Sequence, residues 1–384
     1  MIEIKNGKIV TPDEVIEGKS LLIEDGCIYD ICEFDKKADK VIDAHGRYIM
    51  PGFIDVHADK IEKVINPRPT AVFDFELGLK EVEKELLQQG ITTIYHSFSL
   101  YKDLAFGQCL MRKKENVSKM AELIEDIHNR DHLIHHRCHL RLEIDNLEVY
   151  TIAKDMMDKN LVHEISFMDH TPGQGQYKNL AVYEKSVSKS SGQTFEQILD
   201  YHKNKEKLTF EQMKELTEIA HSKKITVASH DDDTKEKLEV NAQIGVDISE
   251  FPITIEVAKE AKKKGFYTVV GAPNILLGGS HSGNMSAAEA ILNNCADILC
   301  SDYYPQAMLH AIFIMHHKHG VPIPEMVKKV TLNPAKATRI DEEYGSLEQG
   351  KKADILIVDE IDGYPVITHV LVDGKTTSRV EYRR

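Results

Sequence analysis

Between about residue 51 and residue 340 the chain repeats one rhythm: a short apolar run, a polar loop, then a stretch of helical periodicity. The apolar runs fall at 52–57, 91–97, 138–144, 163–168, 225–229, 247–251, 267–271 and 297–301, and the stretches between them include helix-like segments at 78–89 and 210–223. Short apolar runs that alternate with helical patterns read as parallel strands joined by crossover helices, buried on both faces. Eight such units favour a closed (β/α)8 barrel. An open doubly wound sheet is the alternative, but no Gly-x-Gly-x-x-Gly turn follows the first strand.

The two ends have a different texture. Residues 1–50 alternate short β-like runs with turns such as Asn6-Gly7 and Asp25-Gly26, and residues 341–384 repeat the pattern around Asp373-Gly374. Similar β character on both sides of a different middle predicts a small discontinuous β-sandwich formed by residues 1–50 and 341–384, with the barrel over 51–340. The polar segment 178–209 is long for a barrel loop and is either a lid or a surface excursion.

A formal net charge of −14 argues against binding to nucleic acid or to an anionic membrane surface. The amino terminus lacks the apolar core of a signal peptide, and no apolar stretch reaches the ~18 residues of a membrane span, which points to the cytoplasm. Six cysteines occur with no Cys-x-x-Cys, so neither a thiolate zinc site nor a disulfide framework is indicated.

Barrel enzymes place their chemistry at the carboxyl ends of the strands, and ligand-type residues recur there. His57 and Asp59 close the first run, Glu143 the third, His170 follows the fourth, His230 the fifth and Asp302 the eighth. Residues two apart on a strand face one side, so His57 and Asp59 can address one cation. This mixture of imidazoles and carboxylates suits two divalent cations such as zinc, manganese or iron. Its chemical logic is hydrolysis, with water acidified by the metals and Asp302 handling protons. With 19 histidines in the chain, most others, including those at 128–139 and 310–319, are read as solvated.

These residues sit in motifs that resemble the amidohydrolase superfamily: Pro51-Gly52-Phe53-Ile54-Asp55-Val56-His57, Leu332-Asn333-Pro334-Ala335-Lys336-Ala337 and the Gly345–Asp354 run. Asp59 stands where that family's usual His-x-His has its second imidazole. The departure looks like the family's PhnM-type branch of phosphonate catabolism, as do Met168-Asp169-His170-Thr171-Pro172-Gly173, Ser229-His230-Asp231-Asp232, Glu250-Phe251-Pro252, Gly271-Ala272-Pro273-Asn274 and Ser301-Asp302-Tyr303-Tyr304-Pro305.

The resemblance implies a metal-dependent diphosphatase that acts on a small anionic substrate, a ribose 1-phosphonate carrying a 5-triphosphate, in a homo-oligomeric protein with no nucleic-acid or membrane partner. Lys63, Arg68 and Arg141 are cationic candidates for the triphosphate. The 278–284 loop, with Gly279, Ser280, His281 and Asn284, offers donors for phosphate or phosphonate oxygens, one arrangement being a helix N-terminus. Leu277 stands where the branch can carry an arginine, which bears on substrate preference. The rival readings are a cyclic-amide or N-acyl amidohydrolase or deaminase of the same superfamily, and a non-catalytic oligomeric scaffold.

Overall fold

The computed structural model describes residues 1–33, 37–68, 71–100, 110–175, 205–280 and 283–383, together with 180, 184, 195, 196 and 199. The chain enters through seven short strands: β1 (Ile2–Lys5), β2 (Lys8–Val10), β3 (Val15–Ile16), β4 (Ser20–Glu24), β5 (Cys27–Cys32), β6 (Lys40–Asp43) and β7 (Tyr48–Pro51). Eight more follow: β8 (Phe53–Ala58), β9 (Ile91–Ser99), β10 (His135–Glu143), β11 (Glu164–Met168), β12 (Thr226–His230), β13 (Ile248–Glu250), β14 (Tyr267–Gly271) and β15 (Ile298–Cys300). Three close the chain: β16 (Ile355–Ile361), β17 (Tyr364–Val372) and β18 (Lys375–Arg379).

Strands β8 to β15 pair in parallel and in chain order, with helices between them. The sheet closes at its carboxyl end, where Ala58 bridges Asp302. There the Asp59 amide donates to the Asp302 carbonyl at 2.9 Å, and the Asp302 amide donates to the His57 carbonyl at 3.0 Å. The Ser301 amide also donates to Asp55 Oδ1 at 3.0 Å. The result is the (β/α)8 barrel that the eight apolar runs predict. Strand β10 begins three residues earlier than its apolar run, because the polar His135, His136 and Arg137 pair with Thr93, Ile94 and Tyr95. The surrounding helices are started by local chemistry: Asp74 accepts from the Leu77 amide ahead of Phe75–Gln88, and Thr209 with Gln212 forms a capping box ahead of Phe210–Ser222.

The terminal strands build two further sheets, ordered β5-β4-β1-β6 and β18-β17-β16-β7-β2-β3. Their shared core contains Ile4, Ile9, Leu21, Ile23, Ile42 and Ile49 from one end of the chain and Ile355, Ile357 and Leu371 from the other. Gly90 marks their contact with the barrel. Its φ is +83°, and a Cβ there would stand 2.7 Å from Leu356 Cδ1, so the turn into β9 requires glycine.

Segment 178–209 falls mostly outside the described residues. The histidines at 128–139 are not all solvated, since His136 and His139 are fully buried. Just before β11, His163 Nδ1 accepts from the Cys138 amide at 3.1 Å, an arrangement that excludes a proton on that nitrogen. Burial, with Arg137 adding to it, pulls the His163 imidazole down to about 3. Between the ordinary histidine range near 6.5 and that value, the unfolded chain binds a proton that the folded chain does not. The contribution is therefore complete above pH 6.5 and is lost as pH falls toward 3, at about 1.4 kcal/mol per pH unit. Urea unfolding of His163→Gln between pH 4 and 7 should show a shallower loss of stability than the parent; parallel curves would count against this role.

Candidate active site

The barrel mouth holds a cavity of about 350 Å³ lined by His57, Asp59, Lys63, Arg141, His230 and Asp302, with Asp231, Asn274, Ser280, Asn284 and Tyr303 at its sides. A register irregularity between Asp55 and Ala58 interrupts the pairing of β8 with β9 as the strand reaches the mouth. Strand β12 delivers His230, and the closing bridge carries Asp302. Three residues at these strand ends have left-handed backbone: Asp231, Phe251 and Asp302, with φ of 53°, 53° and 55°. Such positions cost on the order of 1–3 kcal/mol each for a non-glycine residue and persist where surrounding structure imposes them.

Glu250 is the buried centre of the electrostatics. It pairs in register with His230, and its Oε1 lies 2.8 Å from His57 Nδ1. Burial alone would raise its carboxyl, but His57, His139 and His230 outweigh burial and bring it down to about 2. The ionised carboxylate can only accept, so His57 Nδ1 donates and the Nε2 lone pair is left to coordinate. Glu250 Oε2 has no hydrogen-bond partner among the described residues.

Arg141 joins the first and fifth strands. Its Nη1 donates to Asp59 Oδ1 at 3.0 Å, and its Nη2 stands 3.4 Å from His230 Nε2. Burial opposes ionisation of Asp59, and Arg141, followed by His57, overcomes it and lowers the carboxyl below its ordinary range. Asp302 shifts the other way, raised chiefly by burial.

Of the sequence candidates, His57, Asp59, Lys63, Arg141, His230, Ser280, Asn284 and Asp302 meet at this cavity. Glu143 and His170 form an adjacent pair, Oε1 to Nδ1 at 2.6 Å, with the His170 ring 6.0 Å from that of His230. Arg68 is exposed, in an isolated antiparallel bridge to Ala71 beyond helix Lys60–Ile65, and neither it nor Gly279 is among the described lining residues. His281 lies outside the described residues. The 278–284 loop follows a helix C-terminus rather than opening a helix, because Gly278, at φ 76°, is the left-handed cap of Pro273–Leu277.

Three residues escaped the sequence reading: Glu250, Asp231 and His139. Glu250 had a usable signal, as the carboxylate that ends the sixth apolar run. His57, His230 and Glu250 each offer a ligand atom within 4.8 Å of the others, and so do His170, His230 and Asp231. The unsatisfied buried oxygen of an ionised Glu250 beside two imidazoles is the environment that a divalent cation completes.

The sequence model of the amidohydrolase family matches residues 48–377. The chain belongs to that family. It is 32% identical over 379 residues to the alpha-D-ribose 1-methylphosphonate 5-triphosphate diphosphatase of Escherichia coli (strain K12), covering 97% of this chain and 99% of that protein. An imidazolonepropionase of Picrophilus torridus is 24% identical, over 96% of this chain and 93% of its own. Among solved structures, N-acetylglucosamine-6-phosphate deacetylase from Pasteurella multocida superposes with a TM-score of 0.66 at 13% identity, over 98% of this chain and 100% of that chain, a likeness of fold. The protein is therefore an enzyme of a metal-dependent hydrolase family.

The Asp59–Arg141 pair is directly testable. In metal-free Arg141→Met, the Asp59 carboxyl should titrate at higher pH than in the parent when followed by carboxyl ¹³C NMR. An unmoved titration would show that Arg141 is not what holds it down.

Proposed function

We propose that this amidohydrolase is a diphosphatase that cleaves α-D-ribose 1-methylphosphonate 5-triphosphate to the 5-phosphate and pyrophosphate. The observation that carries this reading is the end-to-end similarity to the Escherichia coli enzyme of that activity. The cavity supports it: one wall presents acids and imidazoles, while Lys63, Arg141, Asn274, Ser280 and Asn284 supply a cationic and polar rim suited to a polyanion. No helix among the described residues is long and apolar enough to cross a membrane, and our reading places the reaction in the cytoplasm, in a homo-oligomer.

His57, His230 and Glu250 would hold a divalent cation, with Asp59 and Asp302 facing the same space; His170 and Asp231 form the overlapping group around His230. We count two cations, zinc first, with manganese or iron as alternatives, since imidazole and carboxylate donors suit all three. A cation bound here supplies Lewis acidity, polarising a phosphoryl oxygen and making water acidic enough to react near neutral pH. Arg141 and Lys63 bind and orient the triphosphate, and in doing so Arg141 can exchange Asp59 for a phosphate oxygen. Glu250 fixes the His57 tautomer, and Glu143 does the same for His170. Asp302, with its raised carboxyl, accepts the proton of the attacking water and returns it to the leaving pyrophosphate.

Incubating metal-loaded protein with the ribose phosphonate triphosphate and following ³¹P NMR should show pyrophosphate and the 5-phosphate. Orthophosphate alone would overturn this reading, and no reaction beside steady hydrolysis of dihydropyrimidines or N-acyl amino acids would replace it with the amide-cleaving one. Asp302→Asn should lower turnover roughly 10²–10⁴-fold with metal content largely kept, as for loss of a general acid–base group. Full turnover in that variant would remove Asp302 from the mechanism. Chelation should abolish pyrophosphate release, and zinc or manganese should restore it; activity that survives verified metal removal would exclude a cation requirement.

A further inference from the structure

At the opposite end of the barrel from the mouth, a separate group of donors converges where the barrel meets the terminal strands. His135 opens β10, the strand that ends at Glu143 beside the mouth. At ~3.3 Å per residue that strand carries His135 roughly 26 Å away from Glu143. Asp354 immediately precedes β16, and Asp373 follows β17 at the turn into β18. The turn is fastened to the start of β16: the Asp373 amide donates to Asp354 Oδ1 at 2.9 Å, and the Gly374 amide donates to the Ala353 carbonyl at 3.0 Å. Tyr344 packs edge-on against the His135 imidazole, with ring centroids 5.0 Å apart. The atoms left over face one another. His135 Nε2 lies 3.3 Å from Asp354 Oδ2 and 4.0 Å from Asp373 Oδ2. The Asp354 side chain is only 8% exposed, yet neither its Oδ2 nor His135 Nε2 has a hydrogen-bond partner among the described residues. Buried polar atoms in that state need something to complete them. Asp373 is more open, and Lys352 Nζ stands 3.6 Å from its other oxygen, Oδ1.

We propose that His135, Asp354 and Asp373 form a divalent-cation site, separate from the reaction centre, that clamps the terminal sheets to the amino end of the barrel. The three residues each offer one ligand atom within 4.8 Å of the others. Zinc bonds of ~2.0–2.2 Å at tetrahedral angles hold neighbouring donors ~3.3–3.5 Å apart. The His135 and Asp354 atoms already stand at that separation, too far and too poorly aligned for a hydrogen bond. Closing the Asp373 oxygen from 4.0 Å to the same spacing requires a shift of about half an ångström. One imidazole and two carboxylates suit zinc first and manganese after it. Lys352 balances one of the two carboxylates, and a cation would balance the other. The exposed side of Asp373 gives the ion its way in and leaves room for a water as fourth ligand. His135 is more than 200 residues from Asp354, so the donors converge only in the folded chain. An ion held there binds the native state alone and stabilises it, in keeping with a position at the amino face of the barrel, where side chains serve stability and not catalysis.

The test is a crystal of full-length protein, loaded with zinc and freed of unbound ion by gel filtration, measured above and below the zinc absorption edge. An anomalous peak in contact with His135 Nε2, Asp354 and Asp373 is the expected result. Water or no peak between them would overturn this proposal, whatever is bound at the mouth, and would leave the proposed function standing. A peak here with none beside His57 and His230 would support the clamp and count against the cation reading of the mouth. In solution, Asp354→Asn leaves an oxygen to accept from the Asp373 amide and removes the charged ligand. Zinc per chain by atomic emission should fall by one equivalent, and the rise in Tm on adding zinc should be smaller than in the parent. Equal stoichiometry with an equal zinc-dependent rise would overturn the proposal, since a purely structural Asp354 lowers Tm alike with and without the ion. Should that variant fail to fold, the anomalous map of the parent protein decides alone.

Discussion

The structure depends on the bridge that closes the barrel. Ala58 and Asp302 pair at the seam between the first and last strands, and the amides of Asp59 and Asp302 donate across it. These are ordinary backbone hydrogen bonds, but they join segments more than 240 residues apart in a chain of 384. They also fix the separation of His57, Asp59 and Asp302, because all three lie on or beside the bonded residues. Asp55 reinforces the seam from within: its Oδ1 accepts from the Ser301 amide, and burial raises its carboxyl to about 6. Fold closure and assembly of the mouth are thus the same event, and a loosened seam would disturb the site before it exposed the core.

Within that frame the interior is organised around one ionised carboxylate. Glu250 faces His57, His139 and His230, and their combined influence overcomes the cost of burying its charge. An isolated buried carboxylate would take up a proton, and that is the direction in which Glu164 is driven. The two acids thus sit in opposite states for a physical reason: His57 hydrogen-bonds Glu250, whereas Glu164 has burial and the Glu250 carboxyl to contend with.

Much of this was legible in the sequence because burial on both faces leaves a strand no choice but an apolar run. All eight barrel strands fall at such runs, and His57, His230 and Asp302 could be picked out as polar residues where each run stops. Glu250 was harder to see. Its strand is three residues long, and a carboxylate before Phe251-Pro252 has the same appearance as a solvated turn. The Asp59–Arg141 pair could not be read at all, because it depends on strands one and three curving around a common axis, a relation between distant segments rather than a pattern within one. The start of the 278–284 loop could not be read either, because Gly278 suits a phosphate-binding turn and a helix cap equally well; in the structure it caps the preceding helix of five residues, while Ser280 and Asn284 still reach the cavity.

Arg141 ties these electrostatic elements to substrate chemistry. It lies between Asp59 and His230, two groups on the wall where a cation would bind, and it faces the cavity that would receive a polyanion. A cation drawn to Asp59 weakens that carboxylate's hold on the guanidinium, and a phosphate drawn to the guanidinium weakens its hold on the carboxylate. Each ligand therefore releases the group that the other needs. Reciprocity of binding free energies then requires that cation and polyanion favour one another by the same factor. Arg141 and Asp59 are paired with one another, and binding of both ligands would exchange that pair for two external partners. On the proposed function, such a site would discriminate against neutral substrates without a steric filter, because a ligand that cannot compete for Arg141 would leave Asp59 paired.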